Sequence, residues 1–179
     1  MLNYTVEYDQ PAIFLEHRKF DEQYALPLAA IIKPLPRLKT NGPRRLKIGY
    51  LSADFHNHPV AFFMAPVLAN HDHDQFEIFC YYNFPHGDEM TDWVQQAADH
   101  FLKCFGFSDE AVAEQIRRDE IDILVELTGH FAKNRLLVLA RRPAPVQVTY
   151  LGYPTSTGLS AIDYRITDNY VDSEGPTEA

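Results

Sequence analysis

An α/β fold with a parallel sheet and flanking helices is predicted by three features of the chain. Four apolar, β-branched stretches recur along it: Leu46 to Ser52, Phe76 to Tyr82, Ile121 to Leu127 and Val146 to Leu151. Continuous apolar runs of this length are typical of strands buried on both faces. Segments of helical character separate them, so successive strands run parallel through right-handed crossovers. Two of the strands stop abruptly in polar loops, Thr128-Gly129-His130 and Gly152-Tyr153-Pro154, and in an open sheet the loops at the carboxyl ends of the strands wall the ligand crevice.

The elements follow in order. From Pro11 to Tyr24, the residues Ile13, His17, Phe20 and Tyr24 recur at steps of four and three and share one helical face, with Pro11 suited to the first turn. Pro27 to Arg45 carries Pro27, Pro34, Pro36, Gly42 and Pro43 among basic residues, an extended connector. The compact domain is expected to begin near Arg44. Helices are expected over Val60 to Ala69, over Glu89 to Ala98, after a Ser108 cap with Asp109 and Glu110 in its first turn, and over Lys133 to Ala140. Tyr164 to Thr167 offers one more strand. The polar segment Asp172 to Ala179 has no closing helix, so the chain reads as a piece of something longer.

With 179 residues, 46% of them hydrophobic, the chain suffices for one well-buried domain and an appended helix. Asp and Glu total 25 against 16 Lys and Arg, and the formal charge of -9 opposes capture of nucleic acid or of an anionic membrane surface. Cys80 and Cys104 are the only cysteines. Buried reduced thiols fit them better than a disulfide framework, and a cytoplasmic location is expected. No run approaches the length of a membrane helix, and residues 1–7 lack the features of a signal peptide.

The first strand runs into Ser52-Ala53-Asp54-Phe55-His56-Asn57-His58-Pro59, a loop without the glycines that wrap a dinucleotide pyrophosphate. It offers a carboxylate and two imidazoles for proton transfer, or a turn capped by Asp54 with solvated histidines. His17 on an apolar helix face is either a neutral proton acceptor or a satisfied core histidine. His56, His58 and His71-Asp72-His73 lack partners at the spacing of structural zinc sites, so no metal is expected. Gly129 permits a positive φ or a close backbone approach. Arg135, Arg141 and Arg142 suit phosphate or acidic surface partners. Leu151 to Gly158 is dense in amides and hydroxyls, which suits a sugar, a phosphate or a tight connection.

Taken together, Glu16-His17-Arg18, Gly49 to Pro59, Asp122 to His130, Arg142 to Val148, Leu151-Gly152-Tyr153-Pro154 and Asp163 to Asp168 closely resemble the O-linked N-acetylglucosamine transferase family, to which the SPINDLY proteins and bacterial homologues belong. The resemblance runs from about Tyr4 to the last residue. It implies a tetratricopeptide array followed by a two-lobed glycosyltransferase of the GT-B type. This chain would supply a linker helix and Pro-rich connector over residues 1–43 and the N-terminal Rossmann-like lobe over 44–179, without the C-terminal lobe. The implied reaction is an inverting, metal-independent transfer of N-acetylglucosamine from UDP-GlcNAc to a Ser or Thr hydroxyl of a protein. The nucleotide sugar is then a substrate and no cofactor is called for. A SPINDLY-like transfer of fucose from GDP-fucose and a non-catalytic lobe that binds acceptor or partner proteins are the alternatives.

Residue by residue, the resemblance makes His17, His58 and Asp54 the catalytic candidates. It puts Pro59, Val60, His130, Arg135, Leu151, Gly152, Tyr153 and Pro154 on the substrate. Val60 stands where the animal enzymes have Thr, His130 where they have Tyr and SPINDLY-like sequences agree, and Ala132 where they have Lys. Because the nucleotide-holding residues belong to the absent lobe, this chain alone is expected to show little or no transferase activity.

Overall fold

The computed structural model describes residues 9–29, 44–170 and 172. Most of the expected Pro-rich connector, residues 30–43, lies outside the described residues, as do residues 1–8 and the segment 173–179. The main body is a six-stranded parallel sheet: β1 (Leu46–Ser52), β2 (Phe76–Tyr82), β3 (His100–Lys103), β4 (Ile123–Glu126), β5 (Val146–Tyr150) and β6 (Tyr164–Ile166). Their spatial order is β3-β2-β1-β4-β5-β6. The chain therefore winds outward from β1 to one side, then returns to start again at β4. That reversal splays the loops after β1 and β4 apart and opens a crevice between their carboxyl ends.

Helices cover both faces of the sheet: α3 (Pro59–Ala69), α4 (Glu89–Ala97), α5 (Asp109–Arg118) and α6 (Leu136–Ala140). Alternate residues of each strand feed opposite layers, as the period of two requires. Tyr50, Ile78 and Tyr82 pack with Met64, Leu68 and Val94. Leu51, Tyr81 and Leu124 pack with Val112, Ile116 and Leu139. Each full-length core strand is thus buried on both sides, which is why it appears as an unbroken apolar run.

Strand β3 has no counterpart in the sequence reading. It is an edge strand whose end residues His100 and Lys103 are exposed, so it lacks the apolar run that marks β1 and β2. The helix expected from Lys133 begins instead at Leu136, because Phe131 to Asn134 form turns and Lys133 has φ 62°. Strand β5 ends at Tyr150, since Leu151 has φ 67° and cannot continue the pleat.

The N-terminal helix also differs in one consequential way. Helix α1 (Gln10–Phe20) passes into a π-helical turn, Asp21–Ala25, before α2 (Leu26–Ala29). The wider turn advances the inward position by one residue. Ile13, His17, Asp21 and Ala25 are the buried set, at steps of four, while Tyr24 is 49% exposed. Ala25 packs with Leu136, Ala140 and Leu159, which seats this helix on α6 and on the segment after β5.

Candidate active site

Three loops at the carboxyl ends of β1, β4 and β5 join one another, and those after β4 and β5 meet the N-terminal helix. In the first, Asp54 N–H donates to Ser52 Oγ at 2.9 Å, and His58 caps α3 with Pro59 at its first position. His58 Nδ1 accepts the Val60 N–H at 3.3 Å and lies 4.0 Å from Asp54 Oδ1. With Nδ1 accepting, a neutral imidazole carries its proton on Nε2. Among the described residues no protein group engages that nitrogen. Burial raises the Asp54 carboxyl above its usual range, and the nearby imidazoles of His58 and His56 offset only part of this. The carboxylate is thereby a better base than an ordinary aspartate.

The second and third loops interlock, and a buried carboxylate ties them together. Glu126, the last residue of β4, is 3% exposed, and its Oε2 accepts the Thr128 N–H at 3.0 Å and the Gly129 N–H at 2.8 Å. Its Oε1 meets the Thr149 hydroxyl of β5. Thr128 Oγ1 in turn accepts the Ala53 N–H at 3.3 Å, which links the loop after β1. Gly129 has φ 55°, and a Cβ there would fall 2.2 Å from Tyr153 Cβ. A Cβ on Gly152 would fall 1.7 Å from the Leu127 carbonyl oxygen. Only glycine lets these two backbones touch.

His17 reaches this assembly from the N-terminal helix. Asp21, fully buried in the π turn, accepts the Ser160 N–H at 3.1 Å, the Ser160 hydroxyl at 3.2 Å and Arg18 Nη1 at 3.2 Å. Gly158, at φ 68°, leaves room for the helix, since a Cβ there would lie 2.6 Å from His17 Cβ. The His17 ring then stacks on His130 with centroids 4.2 Å apart and planes 10° from parallel. Its Nε2 is 3.0 Å from the Tyr153 hydroxyl, and His130 Nε2–H donates to the Thr157 carbonyl at 2.7 Å. Burial, helped by the neighbouring His130, pushes the His17 pKa down to about 4. Burial also lowers that of His130. Both rings are neutral near pH 7, which is what lets two imidazoles stack.

Of the residues singled out in the sequence, the structure joins His17, His130 and Tyr153 in direct contact, with Gly152 as the hinge that allows it. Asp54 and His58 form a second group, connected to the first through Ala53 and Thr128. Pro154 is exposed at the loop tip. Val60, in the first turn of α3, is buried in the core. Arg135 is committed elsewhere, donating to Asp109 at 2.7 Å and Asn83 at 2.9 Å. Asp21, Glu126 and Thr149 escaped the sequence reading. A lone Glu inside the apolar run Ile123-Leu124-Val125-Glu126-Leu127 was the available signal. Among the described residues no group of three His, Cys, Asp or Glu side chains could hold a metal ion.

The model of glycosyl transferase family 41 matches residues 30–176. The chain belongs to glycosyl transferase family 41. A relative from Oryza sativa subsp. japonica, described as a probable UDP-N-acetylglucosamine–peptide N-acetylglucosaminyltransferase SPINDLY, is 37% identical over 99% of this chain and 19% of its own length. A SPINDLY relative from Solanum lycopersicum with the same description is 44% identical over 72% of this chain and 14% of its own. Among solved structures, a mutant of the O-GlcNAc transferase of Thermobaculum terrenum superposes with a TM-score of 0.85 at 39% identity, over 93% of this chain and 32% of that one. This family 41 chain thus spans less than a fifth of the length of these curated relatives.

Proposed function

We propose that this chain is the acceptor-side lobe, with its linker helix, of a protein O-glycosyltransferase that moves N-acetylglucosamine from UDP-GlcNAc to Ser or Thr hydroxyls. The observation that carries the reading lies at the β1–β4 reversal, where a half-buried carboxylate sits beside an imidazole with an open Nε2–H, in a loop tied through Ala53 and Thr128 to the interlocked Gly129–Tyr153 contact. The descriptions of the family 41 relatives as UDP-N-acetylglucosamine–peptide transferases support it.

In this reading the acceptor hydroxyl attacks the anomeric carbon from the face opposite the nucleotide, so the configuration inverts. Its proton passes to Asp54, directly or through a water, and the carbon–oxygen bond to the diphosphate breaks. His58 Nε2–H donates to an oxygen of the sugar or acceptor. His17 is held by Tyr153 and His130 and shapes the sugar-facing wall instead of taking the proton. No metal enters the scheme. Stabilising the leaving diphosphate falls to a second lobe that the longer relatives have room for. Residues 1–43 act as linker and connector, 44–179 as the lobe, and a tetratricopeptide array belongs to the parent protein. Two buried free thiols, Cys80 and Cys104, suit the reducing cytoplasm.

The test is transfer to a Ser-containing peptide by the full-length parent protein, with UDP-GlcNAc and GDP-fucose in competition. UDP-GlcNAc is expected to win. Asp54→Asn is expected to lower kcat by about 10²- to 10⁴-fold with its fold intact, while the isolated chain gives little or no turnover. Near-normal kcat in Asp54→Asn removes that carboxylate from the mechanism, and preference for GDP-fucose changes the donor.

A further inference from the structure

Beside the crevice, a lysine is fixed in place without an acidic partner. Lys133 follows the Thr128–His130 loop and has φ 62°, a left-handed backbone that a non-glycine residue adopts only under strain. The conformation is held by Asn83, whose Nδ2–H donates to the Lys133 carbonyl at 2.7 Å and whose Oδ1 is pinned by Arg135 at 2.9 Å. It places Lys133 Nζ 3.7 Å from the centroid of the Phe84 ring. The same ring lies 4.7 Å from that of His56, the neighbour of the Asp54–His58 pair. No carboxylate among the described residues pairs with Lys133. In a chain of net charge -9, a cation positioned by backbone strain and an aromatic face stands out from the other basic side chains, most of which pair with acids.

We propose that Lys133 on Phe84 is an anion subsite for the acceptor protein, selecting Ser or Thr segments that carry a nearby Asp or Glu side chain. The proposal rests on the acceptor-side reading above. The charge around the shelf favours a single carboxylate over the donor's diphosphate. The loop that carries His56 holds Asp54, 4.0 Å from His58, and its Asn57 N–H donates at 2.6 Å to Asp88, the cap of α4, so repulsion from these two carboxylates rises with the charge of the incoming group. Lys133 is itself exposed, as an acceptor approaching from solvent requires.

Binding without donor separates this idea from the question of turnover. Fluorescence anisotropy would compare a labelled Ser-containing peptide with neutral flanks and its Glu-flanked counterpart on the chain itself. The Glu-flanked peptide is expected to bind about two- to fivefold tighter, the range of an exposed ion pair, with the preference shrinking as salt rises. Lys133→Gly removes the cation and relieves the positive φ, so the fold is retained while the preference disappears; Lys133→Arg keeps it. Equal binding of the two peptides, or a preference that persists in Lys133→Gly, overturns the proposal. So does displacement of the Glu-flanked peptide by UDP from the wild-type chain together with loss of UDP binding in Lys133→Gly, which would assign the cation to the donor. Loss of transferase activity in the parent with the charge preference intact would strike the proposed reaction and leave the subsite standing.

Discussion

Replacing Glu126 asks whether three loops hang on one buried carboxylate. Its Oε2 accepts the N–H groups of Thr128 and Gly129, and its Oε1 meets the Thr149 hydroxyl. Alanine leaves both backbone donors buried and unpaired, at about 1–3 kcal/mol each, so the expected loss is about 2–6 kcal/mol. That is a large share of the roughly 5–15 kcal/mol that holds a domain folded. Glu126→Gln keeps the shape: its amide oxygen takes the two N–H groups and its NH2 donates to Thr149. Its loss is expected to stay under about 1.5 kcal/mol. Urea unfolding followed by circular dichroism measures both variants. An alanine variant within about 1 kcal/mol of wild type would refute the clamp. The pH dependence gives a second reading. Burial, against the hydrogen bonds from Thr149, Gly129 and Thr128, raises the Glu126 carboxyl above its usual range. The folded pKa then exceeds the unfolded one, so this group's contribution is full below the ordinary Glu range and is lost as pH rises through the folded value. Glu126→Gln should flatten that part of the profile.

Two further outcomes follow from the same geometry. Gly152→Ala puts a methyl 1.7 Å from the Leu127 carbonyl oxygen, a backbone atom that cannot swing aside, and is expected to cost upward of about 3 kcal/mol in chemical denaturation; a change under about 1 kcal/mol would show that the two loops do not interlock. For His17 the folded pKa of about 4 lies below the usual 6.5, so its contribution is complete above the usual value and is lost as pH falls from 6.5 through about 4. Thermal midpoints across that window should drop, and less steeply in His17→Gln; identical slopes in the two proteins would contradict the neutral stack.

The core strands were legible because burial on both faces writes itself into composition: Phe76 to Tyr82 needs no partner to be recognised as apolar. Helix starts were legible for a similar reason, since Ser108 and Pro59 act on their own first turns. Strand β3 was not, because an edge strand is defined by the neighbour it pairs with, here β2. The π turn was hidden as well. It depends on Asp21 finding Ser160 across 139 positions, and no local periodicity records that.

The candidate site divides along the same line. Which residue types would line it, a carboxylate and imidazoles after β1 and a Gly-Tyr-Pro bend after β5, was set by local sequence, because strand ends and glycine loops are short-range features. Which of them touch was decided by tertiary packing alone. His17 meets His130 and Tyr153 because a helix is pinned through Asp21 against Gly158, while Arg135 turns to Asp109 and Val60 sinks into the core. A residue's chemistry is carried by its own atoms, but its orientation, exposure and pKa depend on groups that are distant in the chain and near only after folding.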